Sequence, residues 1–228
     1  MRLLNTARDF GSGRVPITYV ENHDHSEIAA VASGVYKCQF KRDQWYRAQP
    51  YLIALLTCFG APLIYNGQEY ADGAAMPEGY EETGECNRVR PRPKRWALSE
   101  DSTGRWMRQL VQMLIRIRKE HPSLRSPNFY PSNWESWMQK PDWNGYGVDV
   151  EKGTVVYHRW GQASDGQFER FIIALNFSAA TQAIDIPLPG GGLWEDLLSG
   201  WRVTPTGGDK LSQQGISSNW GYIFYKKG

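Results

Sequence analysis

The sequence predicts two architectures in series, an α/β first half and an all-β second half. Three observations carry this. Two apolar, β-prone runs at 16–21 and 61–66 each end in a knot of polar side chains, and a helical segment lies between them. A second, strongly amphipathic helical stretch stops at His121-Pro122. Beyond it, short alternating or aromatic runs recur between turn signals with no helical pattern among them, as in an antiparallel β-sandwich. The change of character places the boundary near 122–130, giving domains 1–124 and 125–228.

In chain order, residues 1–14 read as a helix end and a loop broken at Gly11-Ser12-Gly13. The first strand follows, then mixed small residues over 26–39. From 41 to 59 the pattern is helical, with Trp45, Ala48, Leu52, Leu55 and Leu56 on one side. Pro50 bends that helix or divides it into two pieces. Gly60 ends it as a left-handed cap would, and the second strand comes straight afterwards.

Residues 68–100 carry much Gly, Pro and charge with little periodicity, and a loop of that length in a compact domain points to function or disorder. Ser102 or Thr103 caps the next helix. Its stripe is Trp106, Leu110, Leu114 and Ile117, flanked by Met107, Val111 and Met113. Strands are then expected at 147–150, 154–160, 170–177, 182–187, 193–198 and 222–226. Gly190-Gly191-Gly192, Asp165-Gly166 and Thr206-Gly207-Gly208-Asp209 supply turns.

A strand, helix, strand, loop, helix order is the grammar of a parallel sheet with right-handed crossovers. A complete (β/α) barrel of eight units takes about 250 residues, and only two units precede the all-β half. The first half is therefore an incomplete barrel portion or a smaller fold.

Composition narrows the function classes. A formal net charge of +2 over 228 residues argues against nucleic acid or an anionic membrane as partner. The basic run Arg88-Val89-Arg90-Pro91-Arg92-Pro93-Lys94-Arg95 is offset by Glu78, Glu81, Glu82 and Glu85 just before it. Three cysteines, Cys38, Cys58 and Cys86, lack a disulfide framework and lean towards a reducing, cytoplasmic setting. No run approaches the roughly 20 apolar residues of a membrane span. Ten Trp, twelve Tyr and eight Phe suit sugar stacking, but equally suit a core.

The chemistry-bearing residues cluster at the two strand ends. Glu21, Asn22, His23, Asp24 and His25 follow the first strand, and a carboxylate there can act as base, nucleophile or electrostatic clamp. His23 with His25 has metal-ligand spacing but no evident further ligands, the other histidines being His121 and His158. Gln68 and Glu69 follow the second strand. Asp24 and Glu69 on one rim suggest a glycosidase pair, which needs a separation of about 5–9 Å. Glu69 as a structural partner of an Arg or a backbone amide is the competing reading. Nucleophile elbow, phosphate-loop, CxxC and dinucleotide motifs are absent from the sequence.

At these residues the chain resembles a known family. Tyr19-Val20-Glu21-Asn22-His23-Asp24 resembles the fourth conserved region of the α-amylase family, glycoside hydrolase family 13, at the end of the seventh strand of its TIM barrel. Gly60-Ala61-Pro62-Leu63-Ile64-Tyr65-Asn66-Gly67-Gln68-Glu69 resembles its eighth strand, and Arg92-Pro93-Lys94-Arg95-Trp96 is similar to a segment that follows. The helix ending Arg116-Ile117-Arg118-Lys119-Glu120-His121-Pro122 resembles the one that closes the barrel. Ala174-Leu175-Asn176-Phe177-Ser178 and Trp194-Glu195-Asp196-Leu197-Leu198-Ser199-Gly200 resemble strands of its C-terminal β-sandwich.

The resemblance implies an α-glucan or maltooligosaccharide substrate and a retaining mechanism; from the residues themselves, no cofactor or metal is expected. It makes Asp24 the carboxylate that stabilises the transition state and His23 a hydrogen-bond donor to the central sugar, with Asn22, Gln68 and Glu69 supporting the loops. The family's nucleophilic Asp and acid/base Glu lie on earlier strands and have no counterpart before Asp24. The chain is therefore expected to be the C-terminal part of a hydrolase or transglycosylase and inactive alone. Its partners are then the N-terminal barrel portion of the same enzyme, or further copies joined through exposed barrel strands. A non-catalytic carbohydrate-binding module and a metal-dependent hydrolase remain as alternatives.

Overall fold

The computed structural model describes residues 4–10, 13–22, 42–72, 94–135 and 137–228. A short helix α1 (Ala7–Phe10) leads into strand β1 (Ile17–Thr18), which pairs in parallel with β2 (Ala61–Pro62). Ile17 lies opposite Ala61 and Thr18 opposite Pro62. The Ala61 amide donates to the Pro16 carbonyl and the Leu63 amide to that of Thr18, both at 2.8 Å. Both strands are far shorter than the 16–21 and 61–66 runs suggested. The apolar run sets β propensity, but strand length is set by partners, and this sheet has two strands. Nor are they buried on both faces, since Val15, Ile17, Tyr19 and Leu63 are exposed.

Between these strands, a 3-10 segment (Arg42–Ala48) precedes helix α2 (Gln49–Thr57). Pro50 sits in the first turn of α2, where the missing N–H would have had no partner in the helix. It divides two helical pieces, as expected. The one-sided stripe is corrected: Leu52, Ile53, Ala54, Leu55 and Leu56 are all buried. No charged residue falls between Pro50 and Phe59, so every face of α2 can be covered. Gly60 is not a left-handed cap either, because Cys58 ends the helix in an extended conformation. Gly60 is required by close approach, since a Cβ there would lie 2.6 Å from Thr18 Cγ2 and 3.0 Å from the Pro16 carbonyl oxygen.

Helix α3 (Ser102–Glu120) is capped by Asp101, whose carboxylate accepts from the Gly104 amide at 2.8 Å; Ser102 and Thr103 lie inside it. Its buried face is Met107, Leu110, Val111, Leu114, Ile117 and Arg118, while Trp106 stands 62% exposed. Trp106 satisfied the helical spacing but lies at the margin of the stripe.

The remaining chain is antiparallel, as expected. Strands β3 (Phe129–Tyr130), β4 (Gly147–Asp149), β5 (Thr154–Gln162) and β6 (Phe168–Asn176) come first, then β7 (Gln182–Pro187) and β8 (Trp194–Asp196). β9 (Arg202–Val203), β10 (Lys210–Ile216) and β11 (Trp220–Lys227) complete it. Seven of these form one sheet in the order β3-β5-β6-β11-β8-β9, with β4 also on β5, and β7 pairs with β10 separately. β3, β9 and β10 were not foreseen. The first two are two-residue strands, and β10 is mostly polar and interrupted by a register shift between Leu211 and Gln214.

The large sheet is a middle layer. Tyr157, Phe171, Ile173, Leu175 and Ile223 share one core with α2 and α3. Val156, Ile172, Ala174 and Phe224 point the other way and share a second core with Ile184, Ile186 and Ile216 of the β7–β10 pair. This is the period-two alternation of a strand, with both faces apolar because both are covered. Two buried arginines, Arg118 and Arg159, join the helices to the sheet at the C-terminal end of α2. Arg118 donates to the carbonyls of Leu56, Cys58 and Gly60, and Arg159 to that of Thr57. These carbonyls have no partner within the helix, and the helix dipole places its negative end there.

Candidate functional site

Parallel pairing brings the two polar knots to the same end of the β1–β2 pair. Asn22 follows β1 and Gln68-Glu69 follow β2, beyond the matched positions Thr18 and Pro62. Glu21 is buried and Asn22 half-buried. His23, Asp24 and His25, like Cys38 and Cys86, lie outside the described residues.

The chain after β2 folds on itself through local hydrogen bonds. Gln68 Oε1 accepts from the Tyr65 amide at 3.1 Å, and the Gln68 amide donates to the Tyr65 carbonyl at 2.9 Å. Glu69 Oε2 accepts from the Gly67 amide at 2.9 Å. Glu69 thus binds a backbone amide two residues back, which is the structural reading of its carboxylate. Gln68 is buried with its Nε2 unpartnered among the described residues, leaving an amide donor at this end of the strands.

Gly67 makes the turn possible. Its φ is +98°, and a Cβ would fall 3.0 Å from both Asp72 Cβ and Lys94 Nζ. The Gly67 carbonyl accepts from the Asp72 amide at 2.9 Å, closing the loop around Gln68 and Glu69. The Asp72 side chain, 1% exposed, then anchors a distant segment. It accepts from the Arg95 amide at 3.1 Å, from Arg95 Nε at 2.9 Å and lies 2.8 Å from Nη2. Arg95 so fixed carries Lys94 over the Tyr65 ring, with Nζ 4.7 Å from its centroid. Trp96, 64% exposed, stands beside buried Tyr70 with ring centroids 6.0 Å apart. Burial raises the Tyr70 hydroxyl above its ordinary range, and the neighbouring Asp72 and Glu69 charges add to the effect.

Asp72 was missed from sequence. Its only signal was an acid in a turn-rich stretch, 23 positions from its arginine. The 92–96 segment carries a family resemblance, yet nothing in its sequence says that Lys94 and Arg95 return to the end of β2. What results is a rim of amide, aromatic and cationic groups, suited to holding a polar, hydroxyl-rich ligand.

No protein-family model and no curated protein matches the chain. Solved structures do. The chain aligns over 97% of its length with AmyP in complex with maltotriose, at TM-score 0.67 and 18% identity. An Anoxybacillus α-amylase matches over 92% at TM-score 0.55 and 18% identity. Pullulanase from Bacillus acidopullulyticus matches over 98% at TM-score 0.64 and 15% identity. The chain spans 43%, 38% and 26% of these three proteins. At such identities the likeness is one of fold: this chain is similar in fold to part of each.

Proposed function

We propose that the chain is the C-terminal part of an α-glucan-acting glycoside hydrolase or transglycosylase. In this reading β1 and β2 are the last two strands of a (β/α) barrel completed by a further N-terminal portion, and residues 125–228 are the accompanying β-sandwich domain. The parallel β1–β2 pair carries the proposal. It directs Asn22 and Gln68-Glu69 to one end, leaves apolar side chains uncovered, and sits in a fold found in a maltotriose-bound protein.

Asp24 then stabilises the positive charge that develops on the sugar in a retaining displacement, and His23 donates to a sugar hydroxyl. Asn22, Gln68 and Glu69 hold the loops that present them. The nucleophile and acid/base come from the portion that completes the barrel, so the chain alone does not turn over. The test is reconstitution. The purified chain is assayed on maltoheptaose alone, then with a polypeptide carrying six βα units of an α-glucan hydrolase. Activity only in the mixture, lost in Asp24→Asn, is expected. Hydrolysis by the isolated chain overturns the division of roles.

A further inference from the structure

A cleft of about 140 Å³ lies far along the chain from the strand ends, lined by Gly145, Gly147, Asp149, Lys152, Thr154 and Asp185 among others. The loop on its border presents Trp143, 93% exposed, and Pro141 and Gly145 on either side of Trp143 both line the cleft. An indole so exposed is ordinarily carried on a mobile loop. This one is pinned. Asp142 Oδ1 accepts from the amides of Asn144 and Tyr146, both at 2.9 Å, and Oδ2 from the Tyr130 hydroxyl at 2.6 Å. The Asp142 amide donates to the Tyr146 carbonyl at 2.8 Å, and the Gly145 amide to the Asp142 carbonyl at 2.9 Å. Nothing in these bonds needs tryptophan at position 143.

The polar groups beside it are also fixed. Asp149 Oδ1 accepts from Lys140 Nζ at 3.2 Å and from the Lys152 amide at 3.1 Å, while Oδ2 has no partner among the described residues. Asp185, which also lines the cleft, is held by Lys210 Nζ at 2.6 Å and by the Gln213 amide at 2.9 Å. A flat apolar surface beside immobile hydrogen-bond acceptors matches a pyranose ring, which has an apolar face and an edge of hydroxyl donors.

We infer that Trp143 and this cleft form a second carbohydrate-binding site, separate from the strand ends, which holds a stretch of α-glucan chain. The identity of the sugar rests on the proposed function; the presence of a site rests on the pinned loop. Trp143 stacks on one ring, and Asp149 accepts from a hydroxyl of that ring or the next.

Native electrophoresis in gels containing amylopectin, with hydroxyethyl cellulose as control and maltoheptaose calorimetry alongside, tests this. Wild type is retarded by amylopectin alone. Trp143→Ala weakens binding roughly tenfold, Trp143→Phe retains most of it, and Trp106→Ala, which removes another exposed indole, migrates as wild type. Trp143 is solvent-facing, so its variants stay folded. Unchanged binding by Trp143→Ala overturns the site while leaving the α-glucan reading intact. Trp143-dependent retardation by cellulose instead of amylopectin overturns both. A wild type that binds neither polymer overturns the site, with reconstituted hydrolysis then deciding the enzyme reading separately.

Discussion

Arg118 and Arg159 both donate to the carbonyl of Leu124, at 3.2 and 3.1 Å. One comes from the last turn of α3 and the other from the middle of β5, so a single oxygen marks where helices and sheet meet. Arg159 is fully buried and Arg118 7% exposed, and the described hydrogen bonds of both run to backbone carbonyls. Burial lowers both guanidinium pKa values, that of Arg159 to about 10, so both remain charged at neutral pH. Their counter-charge is the negative end of α2 and the carbonyls of the segment after α3.

Removing Arg159 exposes that dependence. Its guanidinium serves Asn128, Thr57, Leu124 and Ser126, four carbonyls from two separate segments. Arg159→Met keeps the volume but orphans most of these acceptors, and is expected to cost about 3 kcal/mol or more in urea unfolding. Arg159→Lys, a point charge without the planar fork, recovers less than half of the loss. Equal stability of the Met variant and wild type would show that the carbonyls find other donors.

The Asp72–Arg95 clamp predicts a smaller, more local effect. Asp72 is buried while the Arg95 side chain is 39% exposed, so the two partners are unequal. Asp72→Ala removes acceptors from the Arg95 amide and guanidinium together, and should release Lys94 from Tyr65. About 1–2 kcal/mol is expected, together with faster proteolysis near Arg95. Arg95→Ala leaves a buried carboxylate without its cation and should be at least as damaging. Unchanged cleavage near Arg95 in both variants would show that the clamp does not hold the segment.

His158 gives the fold a pH dependence. Desolvation, with Arg170 and Arg159 nearby, lowers its pKa from 6.5 to about 4, and its Nε2 has no hydrogen-bond partner among the described residues. The folded state keeps the ring neutral where the unfolded chain protonates it. Stability is therefore full above pH 6.5 and falls as pH drops from 6.5 towards 4, by up to about 3 kcal/mol. Urea midpoints at pH 7.5 and 5 should separate clearly for wild type and less for His158→Phe. The same slope in both proteins would assign the loss to other groups.

Much of this fold was written in local pattern. The helical stretch of 41–59, the break at Pro50, the α3 stripe and six strands of the all-β half all follow from period, turn residues and length. What failed had no local signal. Trp106 fits the stripe by spacing yet faces solvent, because the direction in which a neighbour lies is a tertiary fact. Nothing in the sequence marks Arg118 and Arg159 as buried, since the carbonyls that hold them come together only after α2, α3 and β5 pack. At the candidate site, Gln68 and Glu69 were legible because they end a β-prone run, whereas Asp72 and Lys94 depend on a return of the chain that no spacing announces.

Gly60 offers the sharpest test of the β1–β2 pair. Gly60→Ala puts a methyl group where Thr18 Cγ2 and the Pro16 carbonyl already lie, at a φ of +130° that an L side chain rarely adopts. The Thr18 methyl sits on a β-branched side chain that is stiff at χ1, and the Pro16 oxygen is backbone, so the strands must part. The two bonds from Ala61 and Leu63 to β1 are lost, while α2, α3 and the sheet, held by the core they share, remain. Hydrogen exchange should show deprotection confined to Ala61 and Leu63, with the amides of α3 and β6 unchanged. Thr18→Ala in the same chain removes the nearest obstacle and should restore part of the protection. If exchange instead rises throughout α3 and β6, the strand pair and the main core form one cooperative unit, and the separateness argued for β1–β2 is wrong.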